Sequence, residues 1–198
     1  ETQGHTALVR PFPISVQQWS ERGVERGDAL ASQIARLKEQ HRLEGCVVGV
    51  GVDRIDYTKG IAERFRAIER LFEKHPEHRG KFTFVQLGAP SRVHIPRYRD
   101  LVTELESLAD KINWKFGAGG WQAIEFLVDH HEGPAVYAFL KMAAVCIVSS
   151  LHDGMNLVAK EYVATKCDDG ERVAGESDEG VLVLSEFAGA ARDLPEAL

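Results

Sequence analysis

The chain has few of the features that mark secreted or membrane-spanning proteins. Its 198 residues include three cysteines, which are widely separated at Cys46, Cys146 and Cys167. Two of these lie in apolar runs, so we expect buried thiols in a reducing compartment rather than disulfides or a metal site. No apolar run approaches the roughly 18 residues that span a bilayer, and the N-terminus lacks a signal-peptide core. We therefore expect a cytoplasmic protein without membrane contacts.

The chain has no excess of positive charge, and several catalytic motifs are absent. Lys and Arg number 24 against 30 Asp and Glu, a net charge of -6, which argues against binding nucleic acid by phosphate neutralisation. Neither a nucleophile elbow, a Walker-type lysine loop nor zinc-ligand spacing occurs, so serine hydrolases and P-loop enzymes lose support. Gly49 and Gly51 begin like a dinucleotide-binding fingerprint, but its third glycine would fall at Arg54. An NAD-dependent oxidoreductase is therefore a weak alternative.

The chain does contain a regular alternation of strand and helix patterns. Residues 1–20 are irregular and are interpreted as a connecting segment, and the acidic, Gly-rich residues 168–180 as a surface insertion. The remaining patterns predict strands at 46–52, 82–87, 123–128, 145–150 and 181–184, and helices at 24–41, 61–74, 96–112, 134–142 and 155–166, with a final helix after 185–190. This alternation predicts an α/β fold, a Rossmann-like parallel sheet with helices on both faces. Right-handed crossovers place the loops after residues 52, 87, 150 and 184 along one edge.

The segment from Leu151 to Glu161 is the strongest candidate for a ligand site. It joins a predicted strand to a predicted helix, and Gly154 allows the backbone to approach a ligand closely. The amides of Met155, Asn156 and Leu157 are expected to point outward from the helix start, a geometry that binds phosphate. The carboxylates of Asp153 and Glu161 add acceptors for sugar hydroxyls.

Two further loops carry cations after predicted strands. Arg54 and Lys59 are candidates for a diphosphate clamp, and the alternative is a solvated loop in which Asp53 and Asp56 are their partners. Arg92 either binds a second phosphate or covers the sheet, and the second reading is favoured by the residues alone.

The histidines and tryptophans carry weaker signals. His130 and His131 are adjacent, so their side chains are expected to point in different directions, which argues against a shared metal site. His152 is next to Asp153, but sequence neighbours rarely face each other. Trp114 and Trp121 are interpreted as packing residues, with the alternative that one of them edges a ligand cleft.

Four segments together resemble the C-terminal half of trehalose-6-phosphate synthases, glycosyltransferase family 20. They are Val52-Asp-Arg-Ile-Asp-Tyr-Thr-Lys-Gly60, Ala89-Pro-Ser-Arg92, Asp153-Gly-Met-Asn-Leu-Val-Ala-Lys-Glu161 and Val183-Leu-Ser-Glu-Phe-Ala-Gly-Ala190. The resemblance runs from about residue 45 to the end, in the same order and spacing. It implies the C-terminal half of a GT-B glycosyltransferase, with residues 21–198 as its nucleotide-sugar-binding domain. The chain is then expected to be part of a longer, two-domain enzyme.

The resemblance also implies an activity, retaining and independent of metals or cofactors, that moves glucose from UDP-glucose to glucose 6-phosphate. The partners it implies are thus a nucleotide sugar, a sugar phosphate and an N-terminal domain of the same polypeptide, without which the chain is expected to bind donor but transfer poorly. The implied catalytic residues are Arg54, Lys59 and Asp153. The implied donor-binding residues are Arg54 and Lys59 for the diphosphate, Asp153 with Gly154, Met155 and Asn156 for the glucose, Leu157 and Val158 for phosphate and ribose, and Glu161 for the ribose. Arg92 corresponds to an arginine that binds the acceptor phosphate.

Two departures from the family pattern leave alternatives open. His131 stands near the position where the family often has an aromatic residue beside the uracil, and Asn113-Trp-Lys-Phe116 differs from the commoner pattern. Glucosylglycerol-phosphate synthases share the core motifs, so glycerol 3-phosphate is an alternative acceptor. A non-catalytic regulatory domain of the same fold is the other alternative.

Overall fold

Five parallel strands form the centre of the molecule. A computed structural model of the chain describes residues 8, 10, 12, 14–17, 19, 23–117, 119–167, 173, 176 and 179–194. The strands are β1 (Val47–Arg54), β2 (Phe82–Ala89), β3 (Ile124–Leu127), β4 (Val145–Val148) and β5 (Val181–Leu184). They lie in the order β3-β2-β1-β4-β5, and every neighbouring pair is parallel. The order reverses between β1 and β4, which is where ligands bind in sheets of this kind.

Helices cover both faces of this sheet, as the strand and helix alternation predicts. The helices are α1 (Gly27–Gln40), α2 (Ile61–Lys74), α3 (Pro96–Phe116), α4 (Gly133–Met142) and α5 (Leu157–Lys166). One buried cluster joins α1, α4 and α5 to the sheet, and includes Leu30, Tyr137 and Tyr162. A second cluster, which includes Phe65 and Leu105, joins α2 and α3 to the opposite face. The predicted Rossmann-like fold is confirmed.

Several smaller predictions need correction or stay untested. A final helix was expected after residues 185–190; the structure has a short 3₁₀ helix, Gly189–Arg192, at its expected start, and residues 195–198 lie outside the described residues. Trp121 packs against the core and donates to Thr83 Oγ1 at 2.9 Å, but Trp114 is 88% exposed, so its assignment as a packing residue is wrong. A long amphipathic helix can leave an aromatic residue on its outer face, because burial is decided by the neighbouring elements. The connecting segment and the acidic insertion lie mostly outside the described residues.

The three cysteines are free but differ in burial. Cys146 is buried within β4, and this burial raises the pKa of its thiol to about 12. Cys46 is only half-buried because it precedes β1 at the end of the sheet, and Cys167 is exposed. The expectation of a buried thiol is therefore right for Cys146 and wrong for Cys46. Within the described part of the chain, no helix is both long enough and apolar enough to cross a membrane.

Candidate functional site

A cleft of about 460 Å³ opens at the carboxyl ends of the strands. Both β1 and β4 end at this cleft, and the loops that follow them form much of its wall. Six of the nine predicted donor-binding residues line it, namely Arg54, Lys59, Asp153, Asn156, Leu157 and Val158. Gly154, Met155 and Glu161 are all described by the structure but are not among the lining residues. The structure thus brings together residues that are about one hundred positions apart in the sequence.

The loop after β1 is folded so that Lys59 reaches into the cleft. Asp56 caps the 3₁₀ helix Tyr57–Lys59 by accepting a hydrogen bond from the Thr58 amide at 3.0 Å. The Thr58 carbonyl in turn accepts from the amides of Leu151 and His152, at 2.8 and 3.3 Å. These contacts tie the Lys59 loop to the segment that leads into Asp153.

Lys59 and Asp153 form an ion pair across the cleft. Lys59 Nζ lies 2.5 Å from Asp153 Oδ2, which also accepts from Asn156 Nδ2 at 3.1 Å and from Ser150 Oγ at 3.3 Å. Partial burial raises the pKa of Asp153, but the hydrogen bonds from Lys59 and Asn156 outweigh it and hold the pKa below its usual value. Asp153 is therefore an anionic acceptor at neutral pH, next to a cation that can contact phosphate.

The α5 start differs from the predicted one by two residues. The helix begins at Leu157, and its N-cap is Asn156, which has a positive φ of 65° and accepts from the Ala159 amide at 3.1 Å. The Met155 amide helps to lower the pKa of the Asp153 carboxylate, so it faces that carboxylate, whereas we predicted that it points outward from the helix start. The first amides of α5 are those of Leu157 and Val158, and both residues line the cleft. These two amides are the better candidates for phosphate donors.

The segment after β5 supports the main chain around Gly154. The amides of Gly189 and Ala190 donate to the carbonyls of Asp153 and Met155, at 3.0 and 2.6 Å. A Cβ atom at Gly189 would lie 2.0 Å from the Gly154 carbonyl oxygen, so only glycine allows this close approach. The motif at residues 183–190 therefore shapes the 153–155 loop, a role that its sequence pattern did not indicate.

In the solvated-loop alternative, Asp53 and Asp56 are the partners of Arg54 and Lys59, but in the structure these carboxylates have other partners. Asp53 pairs with Arg64, whose Nη1 lies 2.8 Å from its Oδ2, and Asp56 bonds to Thr58 and Tyr98. Neither carboxylate is a direct partner of Lys59 or Arg54, so the solvated-loop alternative is wrong in that respect. Arg54 is exposed at the cleft wall, and its side chain forms no hydrogen bond or ion pair with another residue in the described part of the chain.

Arg92 lies in a cluster of polar and aromatic side chains beside α3. Its guanidinium donates to Tyr98 Oη and lies 3.7 Å from Asp56 Oδ2, and its backbone has a positive φ of 50°. The carboxylate of Asp56 carries a pKa below its usual value, since hydrogen bonds from Thr58 and Tyr98 outweigh the effect of its burial. Arg92 is about half-exposed. Its position permits contact with an anion but does not line the cleft.

The histidines divide between the cleft and its surroundings. His130 and His131 both line the cleft, and His131 Nε2 is buried without a hydrogen-bond partner among the described residues. In the parts of the chain that the structure describes, no group of three or more His, Cys, Asp or Glu side chains is placed to hold a metal ion. Glu161 is half-buried, and its carbonyl accepts from Trp19 Nε1 at 3.2 Å.

Arg64 is a residue that sequence reasoning missed. It lies in α2 between Ile61 and Phe65, inside the stripe of residues that pack against the sheet, and its side chain is fully buried. The available signal was a charged residue at a core-facing position of an otherwise apolar stripe. Such a residue must have polar partners within the fold.

A parallel sheet covered on both faces, with a polar cleft at the strand ends where the order reverses, defines a Rossmann-like ligand-binding domain. The model of glycosyltransferase family 20 matches residues 1–198. The chain belongs to glycosyltransferase family 20.

Relatives of known identity agree with this assignment. A trehalose-6-phosphate synthase from Enterobacter sp. (strain 638) is 39% identical over 195 residues, which are 98% of the chain and 39% of the relative. One from Escherichia coli O1:K1 / APEC is 37% identical over 201 residues, or 99% of the chain and 40% of the relative. The chain thus spans about two fifths of the length of these relatives.

Solved structures share the fold. An E. coli structure bound with UDP-2-fluoro glucose is 39% identical, with a TM-score of 0.72 over 89% of the chain and 38% of its own. A UDP-forming α,α-trehalose-phosphate synthase from Burkholderia xenovorans, in complex with glucose-6-phosphate, is 36% identical and has a TM-score of 0.72. That match covers 86% of the chain and 38% of the solved one. The chain has the fold of the C-terminal half of a GT-B glycosyltransferase.

Proposed function

We propose that the chain is the donor-binding domain of a retaining glucosyltransferase that forms trehalose 6-phosphate from UDP-glucose and glucose 6-phosphate. The observation that carries this proposal is the cleft that joins Arg54, Lys59 and Asp153 to the first turn of α5. Its cations suit a diphosphate, and its carboxylate suits sugar hydroxyls. Relatives bound to UDP-2-fluoro glucose and to glucose-6-phosphate support the same substrate classes.

The donor residues divide according to the part of the donor that each of them contacts. Arg54 and Lys59 contact the diphosphate, and the amides of Leu157 and Val158 contact phosphate and ribose. Asp153, with the main chain of Gly154, Met155 and Asn156, holds the glucose, and Glu161 holds the ribose. Donor binding requires Lys59 Nζ to leave Asp153, its 2.5 Å partner, for a phosphate oxygen. That exchange frees the Asp153 carboxylate for the sugar.

The chemistry that follows is stabilisation of the leaving group. Negative charge develops on UDP as the glucosyl bond breaks, so Arg54, Lys59 and the α5 amides act where the charge appears. Arg92 binds the acceptor phosphate, and the remaining acceptor contacts come from an N-terminal domain of the same polypeptide. No metal ion is required in this scheme, so the complete natural polypeptide should keep its activity after treatment with a chelator.

Calorimetry with UDP-glucose tests the donor assignment on the chain itself. We expect saturable binding, and we expect Arg54→Ala and Glu161→Ala to weaken it by about tenfold or more, because each removes a hydrogen bond in which one partner is charged. Arg66→Ala is the matched control, since the Arg66 side chain is 61% exposed on α2. Undetectable binding to the wild-type chain at about 1 mM ligand, an affinity worth only about 4 kcal/mol, would contradict the assignment.

An acceptor assay on the complete natural polypeptide tests the reaction. We expect transfer to glucose 6-phosphate and a raised KM for this acceptor in Arg92→Ala. Faster transfer to glycerol 3-phosphate would show that this compound, rather than glucose 6-phosphate, is the acceptor. Donor binding without transfer to either acceptor would favour a regulatory domain. The isolated chain is expected to bind donor but to transfer poorly.

A further inference from the structure

Arg64 is not among the residues that line the cleft, but its partner Asp53 is. Its side chain is 0% exposed, so it cannot touch a ligand. Burying a guanidinium is costly unless polar partners replace its water, and a merely structural position would more cheaply hold an apolar residue. The neighbouring stripe residues Ile61, Phe65 and Ile68 are apolar. The partners of Arg64 therefore show what the charge is used for.

Three elements of the sheet meet at this guanidinium. Its Nη1 donates to Asp53 Oδ2 on β1 at 2.8 Å and to Gln86 Oε1 on β2 at 2.6 Å. Its Nε donates to Ser149 Oγ, just after β4, at 3.0 Å. Gly51 leaves room for this arrangement, because a Cβ there would lie 2.2 Å from Arg64 Nη1. The Arg64 guanidinium thus joins β1, β2 and the end of β4 at the sheet edge that forms the cleft.

Ser149 extends this connection to the Lys59 loop. Its hydroxyl accepts from Arg64 and donates to the Gly60 carbonyl at 2.8 Å. Gly60 has a positive φ of 64°, and a Cβ there would lie 2.1 Å from the Ser149 carbonyl oxygen. The backbone next to Lys59 is therefore in direct contact with the end of β4.

We propose that Arg64 is a positioning residue for the donor diphosphate. Through Ser149 it fixes the loop that presents Lys59 to the cleft. Through its pairing with Asp53, a residue of the cleft wall, it balances a carboxylate charge next to the phosphates. This inference rests on the proposed donor site, since it assigns Arg64 to the support of Lys59 in that site.

Titration of UDP into the chain, with two variants, tests the proposal. Arg64→Lys keeps one charge but cannot span three partners, so we expect UDP affinity to fall by about tenfold or more. Ser149→Ala leaves Asp53 and Arg64 paired but removes the hydroxyl that accepts from Arg64 Nε and donates to the Gly60 carbonyl, and it should lower affinity by about three- to tenfold. Arg66→Lys, an exposed change on the same helix, is the matched control and should bind like the wild type.

A Lys59→Ala background separates positioning from general destabilisation. We expect Arg64→Lys to change UDP affinity by less than about twofold in that background, while its effect on thermal stability persists. A general structural role would lower affinity equally in both backgrounds, and that result would overturn the proposal. Wild-type affinity in folded Ser149→Ala would also overturn it, and this variant decides if Arg64→Lys fails to fold. Absence of UDP binding in the wild type would instead refute the donor site on which the proposal rests.

Discussion

Asp53 and Asp153 both pair with a cation at the carboxyl edge of the sheet, but their contact with solvent differs. The side chains of Asp53 and Arg64 are 3% and 0% exposed, whereas those of Asp153 and Lys59 are both 15% exposed. Burial raises the pKa of Asp53 despite the opposing effect of Arg64, and the pKa of Asp153 is lowered by Lys59 and Asn156. The buried pair is fixed in place by the sheet, whereas in the proposed function Lys59 exchanges Asp153 for a phosphate oxygen of the donor.

The largest expected effect comes from breaking the buried pair. Asp53→Asn leaves Arg64 buried without its counter-ion, and this should lower the free energy of unfolding at pH 7 by about 3–5 kcal/mol. Chemical denaturation measures the change. Asp110→Asn, an exposed change on α3, is the control and should stay within about 0.5 kcal/mol of the wild type. A loss below about 1 kcal/mol for Asp53→Asn would mean that the two ion pairs do not differ as described.

Breaking the cleft pair should act on binding rather than on stability. Asp153→Asn should change the free energy of unfolding by less than about 1 kcal/mol, because the pair is partly solvated. The affinity of the Asp153→Asn variant for UDP-glucose should fall by about 10- to 100-fold, because the sugar hydroxyls lose a charged acceptor. UDP affinity should fall much less, because the released Lys59 remains available. Calorimetry with both ligands measures the difference. Equal losses of affinity for UDP and UDP-glucose would show that Asp153 does not contact the sugar.

Alanine substitutions at Gly51 and Gly154 test the same difference between the buried pair and the cleft. Gly51→Ala places a Cβ 2.2 Å from Arg64 Nη1 and 2.5 Å from Gln86 Oε1, so it should destabilise the fold by about 1–3 kcal/mol. Gly154→Ala meets no atom within 4 Å and should leave stability within about 0.5 kcal/mol of the wild type. Thermal unfolding compares the two variants. A tolerated Gly51→Ala would contradict the tight packing around Arg64.

The smallest expected effect is on the pH dependence of stability. Because the folded pKa of Asp153 is below its unfolded value, its contribution is present above the unfolded pKa and is lost as pH falls through the folded pKa. The wild type should therefore exceed Asp153→Asn by less than about 1 kcal/mol at pH 7, and the difference should shrink in acid. Unfolding curves at several pH values measure it. A stability difference that grows as pH falls would contradict a folded pKa of Asp153 below its unfolded value.

Most of the fold could be predicted because its signals are local. Apolar β-branched runs predict the strands, and the stripe Ile61, Phe65 and Ile68 predicts α2 with its observed bounds. Boundaries failed where tertiary contacts decide them. The α5 start is set by Asn156, which adopts a positive φ and bonds to both Asp153 and Ala159. A polar residue in such a conformation is not distinguishable in the sequence from an ordinary first-turn residue.

Six of the nine predicted donor-binding residues line the cleft, but the contacts among them could not be predicted from the sequence. Strand-end placement brings Arg54, Lys59 and Asp153 to one cleft, as the topology requires. Their partners could not be predicted, because Asp53 lies next to Arg54 in the sequence but bonds to Arg64. The role of Gly51 could not be predicted from the sequence either. It belongs to a glycine pair that begins like a dinucleotide fingerprint, yet its observed use is to make room for Arg64 and Gln86.

A crystal structure of the chain with UDP-glucose bound would test the central claim most directly, since it shows both ion pairs at once. We predict that Lys59 Nζ moves from Asp153 to a phosphate oxygen at about 2.8 Å, the usual length of a charge-assisted hydrogen bond. Asp153 should then contact glucose hydroxyls, while Arg64 keeps its hydrogen bond to Asp53. A donor bound with Lys59 still on Asp153, or with Arg64 displaced from Asp53, would contradict the division into an exchangeable and a fixed pair.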